Sequence, residues 1–170
     1  LLFGVSSAGM LIGGIIIGIW GGTRPRIHTI MGSLIFSGVF LALFGLSQSP
    51  LALGVSMVAM AFPLPWVNAL ILSILQTKVP ADMQGRVFAV MAQLAMFLQP
   101  IAYVLYGHLA DNVLEPAVGT PSWDALAPLV GSGQGAGMAV IYVGAGIVMA
   151  ATALLVYALP VFAPPAATWS

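Results

Sequence analysis

His108 and Asp111 lie three residues apart, a spacing that puts them on one face of a helix, where an imidazole and a carboxylate can serve as base and orienter. Acid–base chemistry would also need a nucleophile or a third polar group, and none lies nearby in sequence. The other histidine, His28, falls at the opposite side of the membrane in the span assignment below. The pair therefore reads as an interfacial hydrogen bond, and no enzyme activity is expected. Metal binding is equally unsupported, because no set of His, Asp or Glu recurs at matching depth. There is no cysteine, which excludes disulfides and thiolate metal sites. No cofactor is expected.

The scarcity of charge says what kind of chain this is. Arg24, Arg26, Lys78 and Arg86 balance Asp82, Asp111, Glu115 and Asp124, so charged residues make up 5% of the 170 and apolar ones 61%. A soluble domain carries about 25% charge. The composition excludes an ordinary cytosolic globule and a disordered chain. It also excludes a nucleic-acid partner, which would need a basic patch. What remains is an all-α polytopic membrane protein whose first partner is the lipid bilayer.

A helix crossing the hydrocarbon core needs about 20 mainly apolar residues. Five stretches qualify, at about 1–20, 28–47, 51–76, 87–110 and 137–160. The run Gly14-Ile15-Ile16-Ile17-Gly18-Ile19-Trp20 does not alternate, which argues for helices over a barrel. The short loop 21–27 and the loop 77–86 share one side and hold all four basic residues, so that side is expected to be cytoplasmic. The longer loop 111–136 holds three acids and lies outside, an irregular excursion with a Gly-rich turn into the last helix. The first span begins at once, with no flank and no signal peptide. The span count is odd. Both features read as a chain whose N-terminal part is missing.

Two features inside the spans concern movement. Gly9/Gly13 and Gly14/Gly18 sit four apart, a spacing that lets helix backbones approach closely in lipid. They serve either plain packing or a face along which helices slide. In the third span, Pro63 and Pro65 remove two backbone donors and must kink or break the helix, with Trp66 and Asn68 close by. Pro100, beside Gln99 and about two turns from Gln93, is expected to do the same to the fourth. Carbonyls freed at that depth need protein or a water-filled cavity. No span contains Asp, Glu, Lys or Arg, so no proton-coupling carboxylate lies within them. Trp20 and Trp169 fall near predicted interfaces.

Three stretches together resemble the C-terminal half of a major facilitator superfamily transporter. Gly14 to Arg26 looks like the eighth helix running into its short basic loop. Gln76-Thr-Lys-Val-Pro-Ala-Asp-Met-Gln-Gly-Arg-Val-Phe88 resembles the loop between the tenth and eleventh helices in the macrolide-efflux type of drug:proton antiporter. Pro100-Ile-Ala-Tyr-Val-Leu-Tyr-Gly-His-Leu-Ala-Asp111, with Glu115-Pro116 and the turn 131–137, resembles the eleventh helix and outer loop of the same type. The resemblance implies a partial major facilitator fold, the eighth to twelfth helices, with the N-terminal half of the transporter as a missing partner. It departs from the family at Trp20-Gly21-Gly22-Thr23, where an acid that caps a neighbouring helix is absent, and at Gly135-Ala136-Gly137, where an Arg is often found.

The resemblance further implies rocker-switch alternating access and proton-driven efflux of a bulky, amphiphilic small molecule, drug-like or siderophore-like, across the cell membrane. Arg24, Arg26, Lys78, Asp82 and Arg86 are the gate candidates, with Asp82 placed to cap the helix that Arg86 enters. The same bases could instead fix topology and bind anionic headgroups. Trp66, Asn68, Gln93, Gln99 and Tyr103 are the polar or aromatic candidates for the substrate cavity. A non-transporting membrane scaffold is the alternative reading. It would use the same glycines but would have no need of prolines beside Asn68 and Gln99.

Overall fold

The computed structural model describes residues 2–24, 26–121, 123–133 and 135–159. Trp169 lies outside them. The described residues form seven α-helices and no strand: α1 Leu2–Trp20, α2 Arg26–Leu46, α3 Pro50–Ala61, α4 Leu64–Lys78, α5 Ala81–Leu109, α6 Ala127–Val130 and α7 Ala136–Ala158. Four helical runs are long and apolar enough to cross a membrane, with α3 and α4 forming one of them, and α1 adds a further apolar helix. The protein is an all-α transmembrane helix bundle.

The helices begin and end for local reasons. Ser49 caps α3 by accepting from the Ala52 N–H at 3.2 Å, and Pro50 occupies the first helical position, where no N–H is needed. Gly21 and Gly22 turn the chain out of α1 at φ 72° and 81°, a region closed to most side chains. Thr23 then closes the turn: its N–H donates to Thr29 Oγ1 at 2.8 Å, and the two hydroxyls lie 2.6 Å apart. A threonine pair thus ties down the turn.

Three expected boundaries move. The span expected at 87–110 begins at Ala81, and α4 runs to Lys78, so the loop expected at 77–86 shrinks to Val79 and Pro80. Gln84 makes this possible, donating through Nε2 to the carbonyls of Gln76 (3.1 Å) and Val79 (3.0 Å) and so closing the turn. The helix runs through Pro100 without a break, the stronger of the two effects, kink or break, expected of that proline. One proline removes a single donor, whereas the pair at 63 and 65 removes two within one turn. Finally, residues 111–117 are not loop. A π-helical turn over Ala110–Leu114 and a 3₁₀ turn over Glu115–Ala117 prolong α5, and the irregular part starts at Val118.

Small residues decide the packing. α2 and α7 form the largest interface, where Gly38, Ala42 and Gly45 face Ala139, Val143, Gly146 and Ala150. A Cβ on Gly38 would fall 2.8 Å from the Gly146 carbonyl oxygen, so the backbones meet without side chains between them. α1 meets α3 in the same way through Gly9 and Gly13: a Cβ on Gly9 would fall 2.6 Å from the Val58 oxygen, and one on Gly13 would overlap the Phe62 carbonyl. Gly14 and Gly18, although equally spaced, face open space within the chain. α5 has no buried residue at all.

Candidate functional site

The break in the third span is the most constructed feature of the molecule. Pro63 is fully buried at it. The Phe62 N–H still reaches the Val58 oxygen at 2.9 Å, and α4 restarts from the Pro63 carbonyl, which accepts from Trp66 and Val67. Polar groups at the break are met by protein. The Ser37 hydroxyl of α2 donates to the Met60 carbonyl at 3.0 Å, and Trp66 Nε1 donates to the Gly13 carbonyl of α1 at 2.7 Å. Irregular backbone at membrane depth persists only when buried in this way or beside a cavity, and here both conditions hold. A cavity of about 270 Å³ opens between the end of α1, the first half of α2 and the break. Trp20, Phe36, Phe62 and Trp66 wall it. The Trp66 ring stands edge-to-face against Trp20 (centroids 5.7 Å apart) and against Phe62 (5.1 Å).

The other cavity candidates do not join Trp66. Asn68 is exposed and donates to the Leu64 carbonyl at 3.0 Å, within its own turn. Gln93, Gln99 and Tyr103 are exposed on α5, with Gln99 Nε2 donating to the Tyr103 hydroxyl at 3.1 Å. Among the described residues no hydrogen bond links this α5 set to Trp66 or Asn68.

The basic residues gather at one end of the bundle. Chain alternation puts the α1–α2 and α4–α5 connections together, and the edge-to-face contact of His28 with Tyr157 puts the end of α7 there too. Arg26 Nη1 donates to Ser73 Oγ, fastening the start of α2 to the last turns of α4. Arg24 and Arg86 are exposed, and Arg86 lies in the second turn of α5 and not at its start. Asp82 does not cap α5: Pro80 holds the N-cap position, and Asp82 stands in the first turn, where the helix dipole favours a carboxylate.

At the other end, His108 pairs with Asn112 (Nδ1 to Nδ2, 3.2 Å) and not with Asp111. Trp123 is buried within the segment that joins α5 to α7 and donates to the Gly131 carbonyl at 3.0 Å. Glu115 spans from the end of the α5 extension to the start of α7, where its two oxygens accept from Gly135 and Gly137. Sequence reading missed Glu115, Ser37 and Ser73. The capping pattern of an acid near Gly-rich turns was the only available signal for Glu115, and nothing in sequence singled out the two serines.

These elements define an integral membrane helix bundle organised around one broken span. Comparison with known proteins adds a relationship. Over 109 residues, 63% of this chain, it is 30% identical to macrolide efflux protein A of Streptococcus pyogenes, and the match covers 27% of that protein. Over 97 residues, 56% of this chain, it is 31% identical to the protein of the same name from Enterococcus faecalis, covering 30% of it. The chain is thus a relative of the macrolide-efflux type of protein, and the matched stretch spans less than a third of those relatives' length. No protein-family model and no solved structure matches it.

Proposed function

We propose that the chain is part of the membrane domain of a secondary exporter of the major facilitator type, driven by protons, that moves bulky amphiphilic molecules out across the cell membrane. The relationship to macrolide efflux proteins carries this reading. A break buried among protein atoms, close-packed glycines and an uncovered polar strip on α5 suit a bundle that rocks while lipid surrounds it. The basic end is taken as cytoplasmic. Arg24, Arg26, Lys78, Asp82 and Arg86 would form its gate, and Asn68, Gln93, Gln99 and Tyr103 would contribute to the substrate path together with the remainder of the transporter.

The test is macrolide or dye accumulation in cells carrying the full-length gene, against empty cells and an Arg86→Ala variant at matched membrane levels. Lower accumulation in the wild type is expected, lost in the variant and lost when an ionophore collapses the proton gradient. Equal accumulation in gene-carrying and empty cells would remove the reason for preferring efflux.

A further inference from the structure

The cavity beside the break is a groove with two unlike ends. His28, Gly32 and Phe36 line it at every fourth position of α2 and are all exposed, so it follows one face of that helix for about 12 Å and opens to the side. Gly32 keeps its middle open, since a Cβ there would meet nothing within 4 Å. The far end is apolar, formed by Phe36, Phe62 and Trp66. The near end reaches the basic end of the bundle, where Trp20, Thr23 and His28 line it. Arg24 follows Thr23 directly, is exposed, and makes no hydrogen bond or ion pair among the described residues. The Thr23–Thr29 bonds hold this turn against α2 and direct the two hydroxyls at each other. Arg24 and His28 are thus the groups able to meet a ligand at the mouth.

We propose that the groove binds an anionic phospholipid, with the headgroup phosphate at Arg24 and His28 and one acyl chain laid over Gly32 towards Phe36 and the break. The charge is complementary. Arg24, Arg26, Lys78 and Arg86 share this end with one acid, Asp82, while Asp111, Glu115 and Asp124 lie at the other. Lys and Arg gathered at a membrane surface attract anionic headgroups. The chain alone gives little preference, because an acyl chain that leaves bulk lipid for an apolar groove exchanges one hydrocarbon surrounding for another. Selectivity therefore comes from the headgroup, and an unpaired guanidinium at the mouth favours a phosphate without a compensating ammonium. The inference needs only a bilayer and does not rest on the export reading.

The probe is phosphatidylglycerol brominated on its acyl chains, which quenches tryptophan fluorescence on contact, mixed at increasing fraction into phosphatidylcholine nanodiscs that hold the full-length protein. Brominated phosphatidylcholine is the control. Bulk lipid gives quenching that rises gradually with the brominated fraction, whatever the headgroup. Occupation of the groove adds a saturable component through Trp20 and Trp66. This component is expected to saturate at a phosphatidylglycerol fraction about five-fold below that for phosphatidylcholine, the effect of one basic residue near the surface. Arg24→Ala should remove the difference between the lipids; its side chain is exposed, so the fold is kept. Gly32→Leu, which fills the middle of the groove, should remove the component for both lipids. Inorganic phosphate, which carries no chain, should leave it in place. Coincident curves for the two lipids in the wild type would overturn the proposal, as would a phosphatidylglycerol preference that survives in both variants. Absence of any saturable component would mean that another segment of the transporter covers the groove, and its loss on adding phosphate would assign the mouth to a free anion; either result also overturns it.

Discussion

Glu115 Oε2 accepts a hydrogen bond from the Gly137 N–H at 3.2 Å, and a Cβ on Gly137 would lie 2.8 Å from that same oxygen. Through Oε1 the carboxylate also takes the Gly135 N–H at 2.9 Å. One side chain therefore occupies the positive end of α7 from 20 residues away and joins the end of one span to the start of the next. The contact also requires glycine twice: Gly135 holds φ 90°, and Gly137 has no room for a side chain.

Removing this clamp should loosen the link between α5 and α7. Glu115→Ala deletes two charge-assisted hydrogen bonds and is expected to lower stability by about 1.5–3 kcal/mol. Glu115→Gln keeps one acceptor and should lose less. Gly137→Ala should be as damaging as Glu115→Ala, because the added methyl would fall 2.9 Å from the Glu115 backbone nitrogen, which cannot step aside as a side chain can. Thermal unfolding in nanodiscs checks the order; Gly137→Ala matching the wild type would refute the close approach.

The glycines of α1 divide by partner, not by spacing. Gly9→Ala and Gly13→Ala drive a methyl into the Val58 and Phe62 carbonyls and should each cost about 1–3 kcal/mol through overpacking. Gly14→Ala and Gly18→Ala meet nothing within the chain and should change its stability by no more than about 0.5 kcal/mol. The same four substitutions, followed by thermal unfolding of the chain and of the full-length protein, separate two roles. A penalty for Gly14 or Gly18 that appears only at full length would locate another segment on that face.

These comparisons show what sequence can and cannot carry. The break was legible because proline chemistry is local: two missing N–H groups within a turn leave no continuous helix whatever surrounds them. The close packing of α1 was half legible. Two Gly pairs share one spacing, and only the tertiary partner decides that Gly9 and Gly13 are used. The start of α5 was misplaced because Asp82, Gln84 and Arg86 read as loop, whereas Gln84 bonds backward and lets the helix begin at Ala81. Trp66 was singled out for its place beside the double proline, and it stands in the wall of a small cavity at the break. Its partners Phe62 and Trp20 are brought to it by the fold, and the polar residue of that cavity, Ser33, looks in sequence like any other small residue of α2.

Ser33 and Ser37 allow a matched comparison on one helix. Ser37 gives its hydroxyl proton to the Met60 carbonyl beside the break, so Ser37→Ala leaves that carbonyl short and should cost about 1–3 kcal/mol. Ser33 has no hydrogen-bond partner among the described residues, and Ser33→Ala should be neutral or slightly stabilising. Unfolding midpoints of the two variants should therefore move in opposite directions from the wild type, or one should fall while the other stays. A fall of equal size in both would show that Ser33 has a partner in the membrane.

Arg26 and Arg24 make the corresponding comparison at the basic end. Arg26 donates to Ser73 Oγ, linking α2 to α4 at the basic end of the bundle, whereas Arg24 is exposed. If the link holds the two helices, Arg26→Ala and Ser73→Ala should each destabilise the chain, and the double variant should be little worse than either single one, with a coupling of about 1 kcal/mol between contacting residues. Arg24→Ala should be silent in the same measurement, because an exposed side chain contributes little to folding. Arg26→Lys distinguishes charge from geometry: a compact ammonium keeps the positive charge but not the planar fork of the guanidinium. Stability lost on Arg26→Lys therefore assigns Arg26 to helix packing. If stability is retained while orientation or transport changes on Arg26→Ala, its role is that of a topological charge at the inner face.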